Sequence, residues 1–282
     1  MPVSAFVDTA RRIWTNPENR GRRLRRTAGW VGWQAWERVV RRPWTVPFHG
    51  GLRMVCHPHD QVTSLVIYCG LYDPEEMRFL LDWLRPGDTF VDVGANVAPY
   101  SLLSTLVPDT RAVAFEPGSL ARRRARANID LNGLGDRIEL VPLAVSDATG
   151  TARLSDGESA TNALVGNDYP GPVEEVATVT LDGFDAGGRL GRVGLIKIDV
   201  EGLEPAVLDG ARALIDRDRP ALVVELNDVP ALRAFTMAAG YEPVRYRPAG
   251  RALEPRPWPD RPGGNVILVP DLTAARRRLS GR

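Results

Sequence analysis

Apolar and polar positions along the chain fall into two rhythms that take turns from residue 62 onward. The stretch VTSLVIYCGLY (62–72) is a short apolar run and is expected as a strand. DPEEMRFLLDWL (73–84) carries apolar positions at helical spacing, with Asp73 as the expected cap and Pro74 in the first turn. Strand TFVDV, helix PYSLLSTLV, strand RAVAFEP, helix LARRRARANIDLNG and strand RIELVPLAV follow. A polar stretch to Gly188 contains one further strand, VATVTL. Strand VGLIKIDV, helix EPAVLDGARALI, strand ALVVEL and helix VPALRAFTMAA come next, and YEPVRYR and NVILV are the last strand candidates. Strands alternating with helices, several of them continuously apolar, predict a mostly parallel sheet covered on both faces, a doubly wound α/β fold. The first ~45 residues instead read as basic helix, with Trp30, Trp33 and Trp36 along one face. The division expected is a Trp-rich helical extension over 1–60, the main domain over 61–270 and a basic tail over 271–282.

Composition narrows the reading. A chain of 282 residues, 44 % hydrophobic, can bury a full core. Its apolar runs are too short to span a bilayer, the N-terminus lacks a signal-like apolar segment, and a cytoplasmic protein is expected. Two cysteines without a CxxC motif indicate neither a disulfide framework nor a zinc site, and no metal is assigned. Residues 1–42 hold ten arginines against three acids, a charge of +7; with the whole chain at +1, the remainder carries −6. Lys197 is the single lysine.

In a doubly wound sheet, ligands bind beyond the carboxyl ends of the strands. The loop TFVDVGANVAPYS lies at such an end. Gly94 suits a sharp turn, and Pro99 suits a helix start. A dinucleotide fingerprint needs G-x-G-x-x-G/A, but Asn96 and Pro99 occupy its second and third glycine positions, which disfavours NAD. A cofactor with an adenosine, an amino-acid end and a sulfonium fits better. Asp92 would face its positive end, and Glu116, closing the next strand, would accept from a ribose diol.

The segments FVDVGANVAPYSLLS, AFEPGSLARRRARANIDLNGL, AVSD and LIKIDVEGLEPAVLDGA, with ALVVEL behind them, resemble the FkbM family of methyltransferases from about Leu71 to Leu226. The resemblance implies a Rossmann-like seven-stranded sheet, S-adenosyl-L-methionine as cofactor, and O-methylation of a hydroxyl on a sugar, polyketide or other natural product. It also implies a cofactor site made of Asp92, Gly94, Ala95, Asn96, Tyr100, Ser101, Glu116, Pro117 and Asp199, with Asp147 of AVSD near the adenine. This chain departs from the family at Ala98, where glycine is usual; alanine is small enough that binding is expected to survive.

In a strand, Lys197 and Asp199 share one face, opposite Ile196 and Ile198. Methyl transfer to an alcohol needs a collinear acceptor and a route for its proton. Asp199 and Glu201, with Lys197 beside them, are the catalytic candidates; the plainer alternative has Asp199 binding the methionine end and Glu201 capping the next helix. Substrate contacts are expected from Thr161 and Asn162 in the polar loop, from Glu225 and Asn227 after the fifth strand, and from His57 of CHPHD. A small hydroxylated acceptor is the expected partner, and nucleic acid is not. Peripheral membrane contact through 11–42 and homo-oligomerisation stay open, as do RNA methylation and a non-catalytic binding module.

Overall fold

Four α-helices and a hairpin precede the main sheet in the computed structural model, which describes residues 3–155, 163–166 and 168–281. Helices α1 (Val3–Thr15) and α2 (Arg23–Val39) lead into strands β1 (Trp44–Pro47) and β2 (Arg53–Cys56), an antiparallel pair. Helix α3 (Gln61–Cys69) follows, where a strand was expected. Asp60 accepts from the Thr63 N–H at 3.0 Å and starts the helix. The apolar run is continuous because α3 is covered on one side by α2 and on the other by the main domain; periodicity cannot separate such a helix from a buried strand.

The indoles of α2 dock it, as a core role requires. Trp30 and Trp33 are buried against Ile67, Tyr68 and Cys69, and the Trp33 indole N–H donates to Ser64 Oγ at 3.0 Å. Helix α3 therefore packs with the N-terminal helices, so the division expected at residue 60 falls inside one packed unit.

Helix α4 (Pro74–Trp83) leads to β3 (Thr89–Val93), α5 (Pro99–Ser104), β4 (Arg111–Phe115), α6 (Ser119–Leu131) and β5 (Ile138–Val141). Then come β6 (Ala144–Val145), β7 (Gly150–Ser155), β8 (Leu164–Val165), β9 (Val173–Val179) and α7 (Leu181–Phe184). The chain continues through β10 (Val193–Ile198), α8 (Glu204–Asp209), α9 (Arg212–Asp218), β11 (Ala221–Glu225) and α10 (Val229–Ala239). It ends with β12 (Glu242–Arg247), β13 (Ala252–Pro255), β14 (Asn265–Val269) and α11 (Leu272–Ser280).

The main sheet runs β13-β12-β14-β11-β10-β3-β4-β5, parallel from β11 to β5 and antiparallel at the other edge. Seven of its strands make the expected sheet, and β13 adds a hairpin on the edge beside β12. Alternation along each strand feeds two cores. Phe90, Ala112, Leu195 and Val223 face one layer of helices, whereas Val91, Val113, Ile196 and Val224 face the other. Strands β6, β9, β7 and β8 form a separate small sheet, of which β7 and β8 were not anticipated. The stretch read as one strand, RIELVPLAV, divides between the two sheets as β5 and β6. The helix expected over 204–215 breaks at Gly210 into α8 and α9, and the close approach of the Ser146 carbonyl oxygen, 2.1 Å from where a Cβ would stand, admits only glycine there. The expected C-terminal tail is mostly α11, pinned by burial of Leu279 and by Arg278 donating to Asp88 at 2.6 Å.

Candidate active site

The first βα turn is shaped by how close two strand ends lie. A Cβ on Gly94 (φ +79°) would lie 1.8 Å from the Asp199 carbonyl oxygen, so only glycine fits between β3 and β10. Both Gly94 and Ala95 donate their N–H to the Phe115 carbonyl at 3.0 Å. Asn96 (φ +52°) and Ala98 (φ +66°) are left-handed as well, and Ala98 carries at modest cost the conformation a glycine would adopt freely. The loop is held from behind by Asn128, fully buried on α6, whose amide donates to the Val97 carbonyl at 3.0 Å and accepts from the Val55 N–H at 2.8 Å. Nothing in the sequence reading singled out Asn128. The available signal was an asparagine sharing the apolar face of Ala125 and Ile129.

Beside this loop lies a cavity of about 210 Å³, lined by Asp92, Gly94, Asn96, Glu116 and Pro117 and by Lys197, Asp199 and Glu201. Ala95 and Tyr100 also line it. Ser101 sits just behind, giving its N–H and Oγ–H to Asp92 Oδ2 at 3.1 and 2.6 Å. That ties Asp92 to the first turn of α5. The second carboxylate oxygen of Asp92 is buried with no hydrogen-bond partner, an acceptor left for a ligand donor. Burial, only partly offset by Lys197 and Ser101, pushes the Asp92 carboxyl up. Glu116 accepts from the Asn96 and Gly118 N–H groups, both at 2.8 Å, and keeps further lone pairs for a diol. Its burial pushes it up to about 7, against those two backbone donors. This carboxylate pair and its cavity fit a cofactor with an adenosine and an ammonium end.

On the neighbouring strand β10, Lys197 and Asp199 share a face as their spacing dictates, and Lys197 stands in register with Asp92. The Lys197 ammonium donates to Asp199 Oδ2 at 2.8 Å and lies 4.8 Å from the centre of the Tyr100 ring. Burial disfavours the Lys197 charge, but Asp199, Asp92 and Asp73 outweigh it and raise its pKa. Asp199 is also opposed by burial, yet the lysine holds its carboxyl below the usual range. Glu225 shares a hydrogen bond with Asp199; burial and the Asp199 charge push Glu225 up to about 8, so it carries the proton between them. Asn227 donates to Glu225 at 2.6 Å and to Glu204 at 3.1 Å. Glu225 and Asn227 thus support Asp199 and do not line the cavity, where a substrate contact had been expected. Glu201 (φ +55°) projects from the exposed turn after β10, its pKa raised by burial, Asp199 and Glu204. It does not cap α8; Glu204 accepts from the Val200 and Gly202 N–H groups and holds that turn.

Several expectations find other positions. Asp147 is exposed, accepts from Ser146 Oγ, and lies off the cavity wall, which Leu143, Ala144 and Val145 supply in its place. His57 sits in the loop before α3, its backbone N–H bonded to Thr63 Oγ1, and does not reach the cavity. Thr161 and Asn162 lie outside the described residues. Asp73 does not cap α4; its carboxylate accepts from the Tyr100 hydroxyl at 2.9 Å. Val62, Leu65 and Tyr72, from the stretch expected as a strand, also line the cavity.

The methyltransferase FkbM domain family matches residues 92–243. The 31-O-demethyl-FK506 methyltransferase FkbM of Streptomyces tacrolimicus is 30 % identical over 57 % of this chain and 77 % of its own length. Ribosomal protein L11 methyltransferase of Pectobacterium atrosepticum is 25 % identical over 46 % of this chain and 42 % of its own length. A crystal structure of a methyltransferase FkbM from Methylobacillus flagellatus superposes with a TM-score of 0.44 at 17 % identity, covering 73 % of this chain and 52 % of that one. The chain therefore spans about half the length of that solved relative.

Proposed function

Because the chain belongs to the FkbM family of S-adenosylmethionine-dependent methyltransferases, we propose that it methylates a hydroxyl of a small metabolite such as a sugar, glycoside or polyketide-type natural product. The observation carrying this reading is one cavity lined by Asp92 and Glu116 together with the Lys197–Asp199–Glu201 group. The FkbM relative, an O-methyltransferase by its name, supports a hydroxyl acceptor.

Bound S-adenosylmethionine supplies an electrophilic methyl group on a sulfonium centre. Glu116 would hold the ribose hydroxyls, and the open oxygen of Asp92 would take a donor from the amino-acid end. Asp199, kept anionic by Lys197, accepts the acceptor's hydroxyl hydrogen bond and orients the oxygen lone pair. Asp199 is a weak base because its pKa is lowered. Glu201, raised and at the rim, is the better proton acceptor as the hydroxyl oxygen is alkylated. Glu225 and Asn227 keep Asp199 in place.

RNA methylation is the weaker reading, since Trp30 and Trp33 are buried and cannot stack on bases. The test supplies radiolabelled methyl donor with a panel of hydroxylated natural products, their deoxy analogues, bulk RNA and ribosomal protein. Label on the hydroxylated compounds and not on the deoxy analogues is expected. Label on RNA or protein alone overturns the reading.

A further inference from the structure

Of the nine large hydrophobic residues exposed among the described residues, seven lie between Val7 and Trp44. Helix α2 carries three of these seven, Leu24, Val31 and Val39, and Val40 stands at its C-cap. One side, with Trp30, Trp33 and Glu37, is buried against the fold. The opposite side presents Leu24, Ala28, Val31, Ala35 and Val39 at spacings of four, three, four and four, one continuous helical stripe. Leu24, Val31 and Val39 are 77, 56 and 81 % exposed. A helix that has already buried one apolar face has no folding reason to carry a second in water.

The stripe is bordered by charge of one sign. Arg20, Arg22, Arg23, Arg25, Arg41 and Arg42 are exposed, and none has an ion-pair partner among the described residues. Trp14 of α1, 47 % exposed, stands beside them with the Arg23 guanidinium 5.7 Å from its ring. From this geometry we infer that the N-terminal helices dock on the surface of an anionic lipid bilayer, with Leu24, Val31, Val39 and Trp14 below the headgroups and the arginines among the phosphates.

Charge complementarity selects this occupant. A second copy meeting the same face would bring two arms of +7 together. A nucleic acid would satisfy the arginines but leave the aliphatic stripe of Leu24, Val31 and Val39 exposed. An anionic bilayer takes both components, the cations at its surface potential and the aliphatic stripe at the acyl boundary. The indoles that insert are then Trp14 and not Trp30 or Trp33. No helix among the described residues is long and apolar enough to cross a membrane, so the contact is in the plane of the surface.

Sedimentation of the full chain with phosphatidylcholine vesicles, with and without phosphatidylglycerol, tests the inference. Binding to the anionic vesicles and little to the neutral ones is expected. The triple variant Arg22→Gln/Arg23→Gln/Arg25→Gln should lower that binding about a hundredfold, from roughly fivefold per arginine at the surface. Leu24→Ser/Val31→Ser/Val39→Ser should also lower it while leaving the thermal midpoint within a few degrees, since all three side chains are exposed. Absence of vesicle binding overturns the inference, as does equal binding to both vesicles. So does dimerisation in the ultracentrifuge that the serine variant abolishes without any vesicle binding, or RNA binding that only the glutamine variant removes.

Discussion

Two carboxylates at strand ends on the same edge of the sheet line the cavity, and their surroundings drive their ionisation apart. Glu116 accepts from the backbone N–H groups of Asn96 and Gly118, with the Arg122 charge a weaker aid, and burial still raises it to about 7. Asp199 is also opposed by burial, but the Lys197 ammonium at 2.8 Å holds it below the ordinary range, and its partner Glu225 takes the proton in its place. A full opposite charge outweighs burial where two neutral dipoles do not. The first is thus a carboxylate about half ionised near neutrality. The second is a fixed anion within a charged network.

The most damaging way to break this contrast is to push the strand ends apart. Gly94→Ala places a methyl group where the Asp199 carbonyl lies, in a left-handed conformation. It should cost about 3–5 kcal/mol in denaturant unfolding and abolish S-adenosylhomocysteine binding by calorimetry. Next, Lys197→Met removes the cation that keeps Asp199 ionised. Asp199 is partly open to solvent, so a loss of about 2 kcal/mol in stability is expected, below the range for fully buried pairs. Methyl transfer should fall about a hundredfold, with its acidic limb moved to higher pH as Asp199 rises. An unchanged pH profile would mean Lys197 does not set the state of Asp199.

Glu116→Gln probes the other carboxylate and should weaken S-adenosylhomocysteine about ten- to a hundredfold, the cost of losing charge-assisted hydrogen bonds. Glu116 has a raised folded pKa, so its contribution to stability is fully present below 4.5 and is lost as pH rises through about 7. Ligand affinity runs the opposite way, because the ionised form accepts from the diol. Binding to the wild type should therefore strengthen from pH 5.5 to 7.5 (chosen to bracket a value of about 7), and the glutamine variant should lose that dependence. The smallest effect is expected from Ala98→Gly. Relief at φ +66° is offset by a more flexible unfolded chain, leaving a change under about 1 kcal/mol by thermal melting.

What the sequence determined by itself was chemistry carried by contiguous residues. The turn Asp92–Asn96, the carboxylate closing β4, and the shared face of Lys197 and Asp199 follow from strand alternation and glycine geometry, which act over a few residues. Most of the parallel sheet was legible for the same reason, because strands buried on both faces are continuously apolar. Tertiary structure decided the rest. Residues 62–72 have an apolar content that suits a buried strand or a buried helix, and only packing against Trp30 and Trp33 selects α3 and brings Leu65 to the cavity. Asp73 had the local position of a cap but was claimed by Tyr100, twenty-seven residues away. Glu225 and Asn227 stand at the expected sheet edge, yet their partners are Asp199 and Glu204, set by the pairing of β10 with β11. A side chain's secondary structure is written in its neighbours along the chain. Its protonation state and its partner depend on groups that only the fold brings within a few ångströms.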